Sequence, residues 1–142
     1  MASHKLLKDC VTLFTYAGEE NKVAKFHKTI LHNVLCVDSL GVKATNQGDS
    51  ADNNATLYIF DTKVIAESQF GEAKEYMPFE KWLTCHEQDK YWTLRDDEKD
   101  FFVRDICESK TPQGVKNVFS ITKSIHYTSG TSRMWHWEIN GR

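Results

Sequence analysis

Six histidines and four cysteines are the side chains of this 142-residue chain best suited to hold a metal or act as nucleophiles. Their spacing argues against both uses. Cys10, Cys36, Cys85 and Cys107 are widely scattered, with no CxxC pair and no regular disulfide spacing. Cys85 and His86 are adjacent, so on a short helix or loop they would diverge, and no second pair stands at zinc-ligand spacing. His126 and His136 come close together, on the polar face, if the last two strands pair as a hairpin. Cross-strand histidines can bind metal or sense pH, but in that position they read as solvent-facing sheet residues. The acidic run Asp96-Asp97-Glu98 with Asp100 lacks the Asp-x-Asp-x-Asp-Gly register and closing glutamate of a calcium loop, and reads as a charged hairpin tip. No glycine-rich phosphate loop, nucleophile elbow or HExxH occurs. The expectation is no catalytic residue, no metal site and no cofactor; a small thiol hydrolase using Cys85 or Cys107 is the enzyme reading left to test.

Nucleic-acid binding by a small barrel needs aromatic platforms in a basic groove. Lys116, Lys123, Arg133 and Arg142 make a modest basic patch near the end of the chain, which keeps a nucleic-acid-binding module as an alternative. Trp135 and Trp137, however, alternate with polar residues as core-facing groups do.

The elements that must position these groups are mostly strands. Val118 to Tyr127 and Met134 to Asn140 alternate with a period of two, joined by a Gly/Ser/Thr turn. Phe119, Ile121, Ile125 and Tyr127 share one face of the first; Trp135, Trp137 and Ile139 share one face of the second. Phe119, Ile121, Trp135 and Trp137 are the expected core anchors. Val11 to Tyr16 is a β-branched and aromatic strand followed by a turn at Gly18-Glu19-Glu20-Asn21. Lys25 to Asp38 is a longer strand whose mixed pattern calls for a bulge or register slip. Ala55 to Asp61, apolar on both faces, reads as a central strand. Tyr91 to Arg95 and Asp100 to Ile106 complete the set, and Glu67 to Tyr76 is too polar to place. Pro78 stands where a helix begins, with Phe79, Trp82 and Leu83 on its apolar face. About seven strands and one short helix predict a mainly β fold, a small antiparallel β-barrel or sandwich.

Between the second strand and the central one, residues 39–54 show no apolar periodicity and contain Asn46-Gln47-Gly48-Asp49-Ser50 and Asp52-Asn53-Asn54. Such a stretch is either a loop that orders on a partner or a plain exposed connection. Residues 1–10 read as a short polar arm or helical turn, and 1–142 as one domain.

Composition excludes little: 40% hydrophobic, 27% charged and a net charge of −2 are ordinary for a soluble globular chain. The charge is unevenly spread. Residues 51–110 hold fourteen acidic and eight basic side chains, a balance of −6, and residues 111–142 hold four basic and one acidic, a balance of +3. The first ten residues carry no apolar run of signal-peptide length, and no stretch approaches a bilayer span. Reduced, buried cysteines in a protein made in a cytoplasm are the expectation.

The order of the pieces, more than any one of them, resembles a known family. Val11-Thr12-Leu13-Phe14, Asn54-Ala55-Thr56-Leu57-Tyr58-Ile59-Phe60, Tyr91-Trp92-Thr93-Leu94, Asp100-Phe101-Phe102-Val103-Arg104, Val118-Phe119-Ser120-Ile121-Thr122 and His136-Trp137-Glu138 follow one another as in small head–tail connection proteins of tailed phages and prophages of Gram-positive bacteria. The similarity runs from about Val11 to Arg142. Where that pattern has a glycine before the Asp100 strand and another after it, this chain has Lys99 and, nearby, Asp105. The resemblance implies a virion neck protein, a head-closure stopper or tail-completion subunit. Such a subunit would form a homo-oligomeric ring, of the order of six or twelve copies, between portal and adaptor proteins on one side and tail terminator or tail tube on the other. Genomic DNA would pass through the channel, no membrane is involved, and the family brings no catalytic residues. On that reading Lys43, Asn46, Gln47, Asp49, Asp52 and Asn53 belong to a loop facing the channel or the adjoining ring.

Overall fold

The computed structural model describes residues 6–39, 42–45, 48–51 and 54–142, with side chains described throughout except at 39, 42–45 and 48–51. Eleven strands and one short helix follow in order: β1 (Asp9–Glu20), β2 (Val23–Ser39), β3 (Val42–Thr45), β4 (Gly48–Ala51), β5 (Asn54–Phe60), β6 (Ile65–Glu67), β7 (Glu75–Tyr76), α1 (Phe79–Leu83), β8 (Tyr91–Trp92), β9 (Phe101–Arg104), β10 (Phe119–Tyr127) and β11 (His136–Gly141). Seven strands form one antiparallel sheet in the order β1-β9-β10-β11-β5-β2-β6, and β1 also pairs with β2. The ring of hydrogen bonds therefore closes through β1, β9, β10, β11, β5 and β2, with β6 attached outside it to β2. The mainly β architecture is the one the sequence predicts, and closure removes most free edges.

Alternation builds the interior. Ala55, Leu57 and Ile59 of β5 are buried while their neighbours are half-exposed, and Val11 and Leu13 of β1 point the same way. Phe102, Phe119, Ile121 and Ile139 complete the far wall, so one contiguous apolar cluster fills the barrel. Trp92 and Leu94, from the long connection between β6 and β9, enter the same cluster. Trp82 of α1, 1% exposed, meets His27 of β2 edge-on at 5.8 Å. The helix is a five-residue turn whose N-cap is Pro78; Phe79 is half-buried and Leu83 is exposed, so Trp82 alone is fully buried from its expected apolar face.

Two special backbone positions shape the long β1–β2 hairpin. Its turn is Asn21-Lys22, both with positive φ as a tight two-residue hairpin requires, and Gly18 (φ +93) instead marks a register shift inside β1. β2 carries the expected bulge, located by Asn33 (φ +60), where the partner on its second edge changes from β6 to β5. Asp105, close to where the resembling family has glycine, adopts φ +68 and donates its N–H to the Cys10 carbonyl.

The last hairpin corrects the sequence reading. β10 and β11 pair, but the register shifts between Ile121 and Lys123, so one extra residue, Thr122, is accommodated. The apparent alternation therefore changes face. Phe119 and Ile121 point inward, but beyond the bulge it is Ser124, half-buried, and His126, exposed, that share the face of Ile139 and Trp137. Tyr127 is 40% exposed. His126 lies opposite Trp137 and His136 opposite Tyr127, which places the two histidines on different faces.

Residues 39–54 differ most from expectation. β3 and β4 pair with each other, Val42 with Ala51 through Thr45 with Gly48, and with no other described strand. This register is that of the β2–β5 ladder, which ends at Ser39 opposite Asn54. The small ribbon thus keeps the register of that ladder and is four pairs long, about 13 Å at the usual strand rise. Lys43 and Asp49 pair with Ser50 and Ala44; Asn46, Gln47, Asp52 and Asn53 lie outside the described residues. No helix among the described residues is long and apolar enough to cross a membrane.

Candidate functional site

The bulge at Thr122 has a direct consequence, because it brings His126 to the same face as Trp137. Their rings lie 4.3 Å apart and nearly parallel, at 4°. His126 Nε2 is 2.7 Å from Asp61 Oδ2, and Asp61 is fixed just after β5 by its N–H donating to the Trp135 carbonyl. These groups form one wall of a cleft of about 360 Å³. Tyr76 and Trp92 form another, brought together by the parallel pairing of β7 with β8. Tyr76 meets Trp92 edge-on at 5.1 Å and Trp137 at 5.6 Å.

Electrostatics separates the polar groups in this cleft. Burial, with smaller contributions from Asp61 and Glu80, pushes the Tyr76 hydroxyl up to about 12, so it stays a neutral donor. Lys74 is 8% exposed; its ammonium donates to the Lys28 carbonyl at 2.6 Å and to Thr29 Oγ1 at 3.1 Å. Burial lowers Lys74 to about 8, opposed by the charge of Asp89. A lysine so shifted has the chemistry of a nucleophile, but two of its three donor positions are committed to the barrel wall. The residues lining the cleft include no serine, threonine or cysteine for His126 to activate. The arrangement suits holding an apolar or planar group between aromatic walls.

The residues singled out from sequence are dispersed. Phe119 and Ile121 are buried core residues, Trp137 packs half-buried against the core at the cleft, and Trp135 is half-buried outside the core cluster, its indole N–H donating to the Gly130 carbonyl at 3.3 Å. Cys85 and Cys107 are half-buried; the Cys107 backbone donates to Thr12 Oγ1 and accepts from Lys28 Nζ. Burial raises the Cys10 thiol and pushes Cys36 to about 11, away from the reactive thiolate. No group of three or more potential metal ligands comes together among the described residues.

The acidic run is not merely a hairpin tip. Asp100 is 1% exposed and its Oδ1 accepts from Tyr16 N–H at 2.9 Å and from the Arg95 guanidinium at 2.9 and 3.0 Å. Arg95 also contacts Asp97 at 3.2 Å and lies over the Phe79 ring at 4.7 Å. Asp100 Oδ2 is buried without a hydrogen-bond partner. Sequence reasoning missed Asp61, Lys74 and Tyr76 as cleft residues, since single polar positions beside short strands leave no periodic signal.

The model of one protein family matches residues 6–142. The chain belongs to the Family of unknown function (DUF6751). No curated protein and no solved structure matches it. Within this DUF6751 chain the match spans every strand of the closed barrel and both walls of the aromatic cleft.

Proposed function

We propose that this DUF6751 chain is a structural virion protein of the phage neck, a ring subunit between portal and adaptor and the tail. The observation that carries the reading is the β3–β4 ribbon, which keeps the register of the β2–β5 ladder of a closed barrel and pairs with no other described strand. A two-stranded ribbon alone gains little stability in water. Its edges are ready-made for another chain's strands, and a ring supplies such a neighbour at every position. The uneven charge, −6 over residues 51–110 and +3 over 111–142, suits head-to-tail contacts between copies, which close into rings when the rotation permits. The order of strand sequences supports the same setting through its resemblance to head–tail connection proteins.

The test is to shorten the ribbon, joining β2 to β5 by a two-residue Asn-Gly turn in place of residues 40–53, which leaves the barrel's own pairing intact. The expected result is a folded monomer that no longer supports joining of heads to tails in an assembly reaction. Joining at the full-length level would overturn the role given to the ribbon.

A further inference from the structure

A second cleft, of about 420 Å³, opens on the edge of β2 that β6 does not cover, since β6 pairs only with Ile30–His32. Lys28, Lys74, Lys90 and Lys110 line it, against the carboxylates of Glu72 and Asp89. Lys90 is spent on Glu87, 3.0 Å away. Lys28 and Lys74 donate only to neutral oxygens, the Cys107 and Lys28 carbonyls and Thr29 Oγ1. Among the described residues no carboxylate lies within ion-pair distance of Lys28, Lys74 or Lys110. A lysine as buried as Lys74 ordinarily has a paired counter-charge, because an uncompensated ammonium is expensive to desolvate. Its charge is felt nearby: burial and then Lys74 hold the His27 imidazole below its usual range, while Asp89 and a hydrogen bond to Gln88 oppose them.

The same cleft has an aromatic rim. Phe70 is 80% exposed at the tip of a turn that is fully tied together. Ser68 N–H donates to the Glu72 carbonyl at 2.7 Å, the Ser68 carbonyl accepts from Gly71, and Ser68 Oγ accepts from the N–H groups of Phe70 and Glu72 at 3.2 Å. Gly71 holds φ +84, which a side chain would strain. An exposed apolar ring on a hydrogen-bonded turn, beside lysines with no carboxylate at ion-pair distance, is the pairing that recognises a planar base carrying a phosphate.

We propose that this cleft binds a nucleotide unit, with the phosphate on Lys28, Lys74 and Lys110 and the base stacked on Phe70. The unit is either a free nucleotide or one residue of a single strand, and the site does not depend on the ring assignment. The test titrates the full chain with inorganic phosphate, thymidine monophosphate and a short oligothymidylate, following fluorescence or amide chemical shifts. Saturable binding of a thymidylate probe is expected. Phe70→Ala should weaken it about tenfold while leaving phosphate unaffected. Lys110→Ala and Lys74→Met should weaken all three, the latter about tenfold. Phe70 and Lys110 are exposed, so their variants keep the fold; thermal unfolding checks Lys74→Met. Equal affinity for both thymidylate probes assigns a free nucleotide, and tighter, steeply salt-dependent oligothymidylate binding assigns a strand. No saturable thymidylate binding, or binding indifferent to both Phe70→Ala and Lys110→Ala, would overturn the proposal.

Discussion

Asp100 is the buried carboxylate whose titration reaches the stability of the whole barrel. Burial raises it from 3.8 to about 6, against the pull of the Tyr16 N–H and of Arg95. The folded protein therefore holds this proton more tightly than the unfolded chain does. The stabilisation from that proton is complete below about pH 4 and is lost as pH rises through about 6, an effect of about 3 kcal/mol at most. Thermal unfolding measured across that window should show a downward component with rising pH that Asp100→Asn removes. An unchanged slope in the variant would assign the dependence to other groups. Asp105 makes a second case. At φ +68 an aspartate pays for a conformation that glycine adopts freely. Asp105→Gly should raise stability by up to about 1 kcal/mol in denaturant unfolding; a loss of that size would mean that the side chain has a structural task.

Barrel closure depends on close approach where β11 ends. A Cβ added to Gly141 would stand 2.8 Å from Phe102 Cε1 and 2.8 Å from Phe119 Cβ, between two rings already packed at 5.4 Å. Gly141→Ala should cost about 1–3 kcal/mol by overpacking, read as a lower unfolding midpoint at unchanged slope. Much of this architecture is legible in the sequence where a strand has one dry face. β5 is legible as a strand in the middle of the sheet, but its reading as apolar on both faces is corrected: only Ala55, Leu57 and Ile59 are buried, and Thr56, Tyr58 and Phe60 form a half-buried second face. The β10–β11 hairpin is legible as an element but not in its facing, because a one-residue bulge at Thr122 leaves the apparent alternation of residue types intact while reversing its meaning. The ribbon is invisible for the opposite reason: strands with no core to face need no apolar period. Gly18-Glu19-Glu20-Asn21 reads as the turn in the sequence, whereas the chain reverses at Asn21-Lys22, because glycine and asparagine both favour turns and only the register tells them apart. The aromatic cleft gathers residues from five separate segments, and only the folded topology brings them together.

The molecule as a whole combines a closed, well-filled barrel with one ribbon that stands outside its pairing. The barrel is self-sufficient, with its interior formed by a single apolar cluster. Arg104 ties it further, bridging Asp9 at 3.3 Å and Asp38 at 3.2 Å across β1, β2 and β9. The apolar side chains Val23, Val37 and Ile106 stand exposed outside the core cluster, and β3 and β4 pair with no other described strand. On the proposed ring reading, such a subunit would be folded before assembly and would complete its remaining contacts with other chains. The most direct measurement of the ring assignment is the mass of the assembled species in solution, taken for the full chain and the ribbon-shortened variant, each alone and mixed with the cognate portal–adaptor complex. A closed multiple of the 16.4 kDa chain on the adaptor, lost when the ribbon is shortened, is the expected result. A chain that stays monomeric both alone and with the adaptor would contradict it.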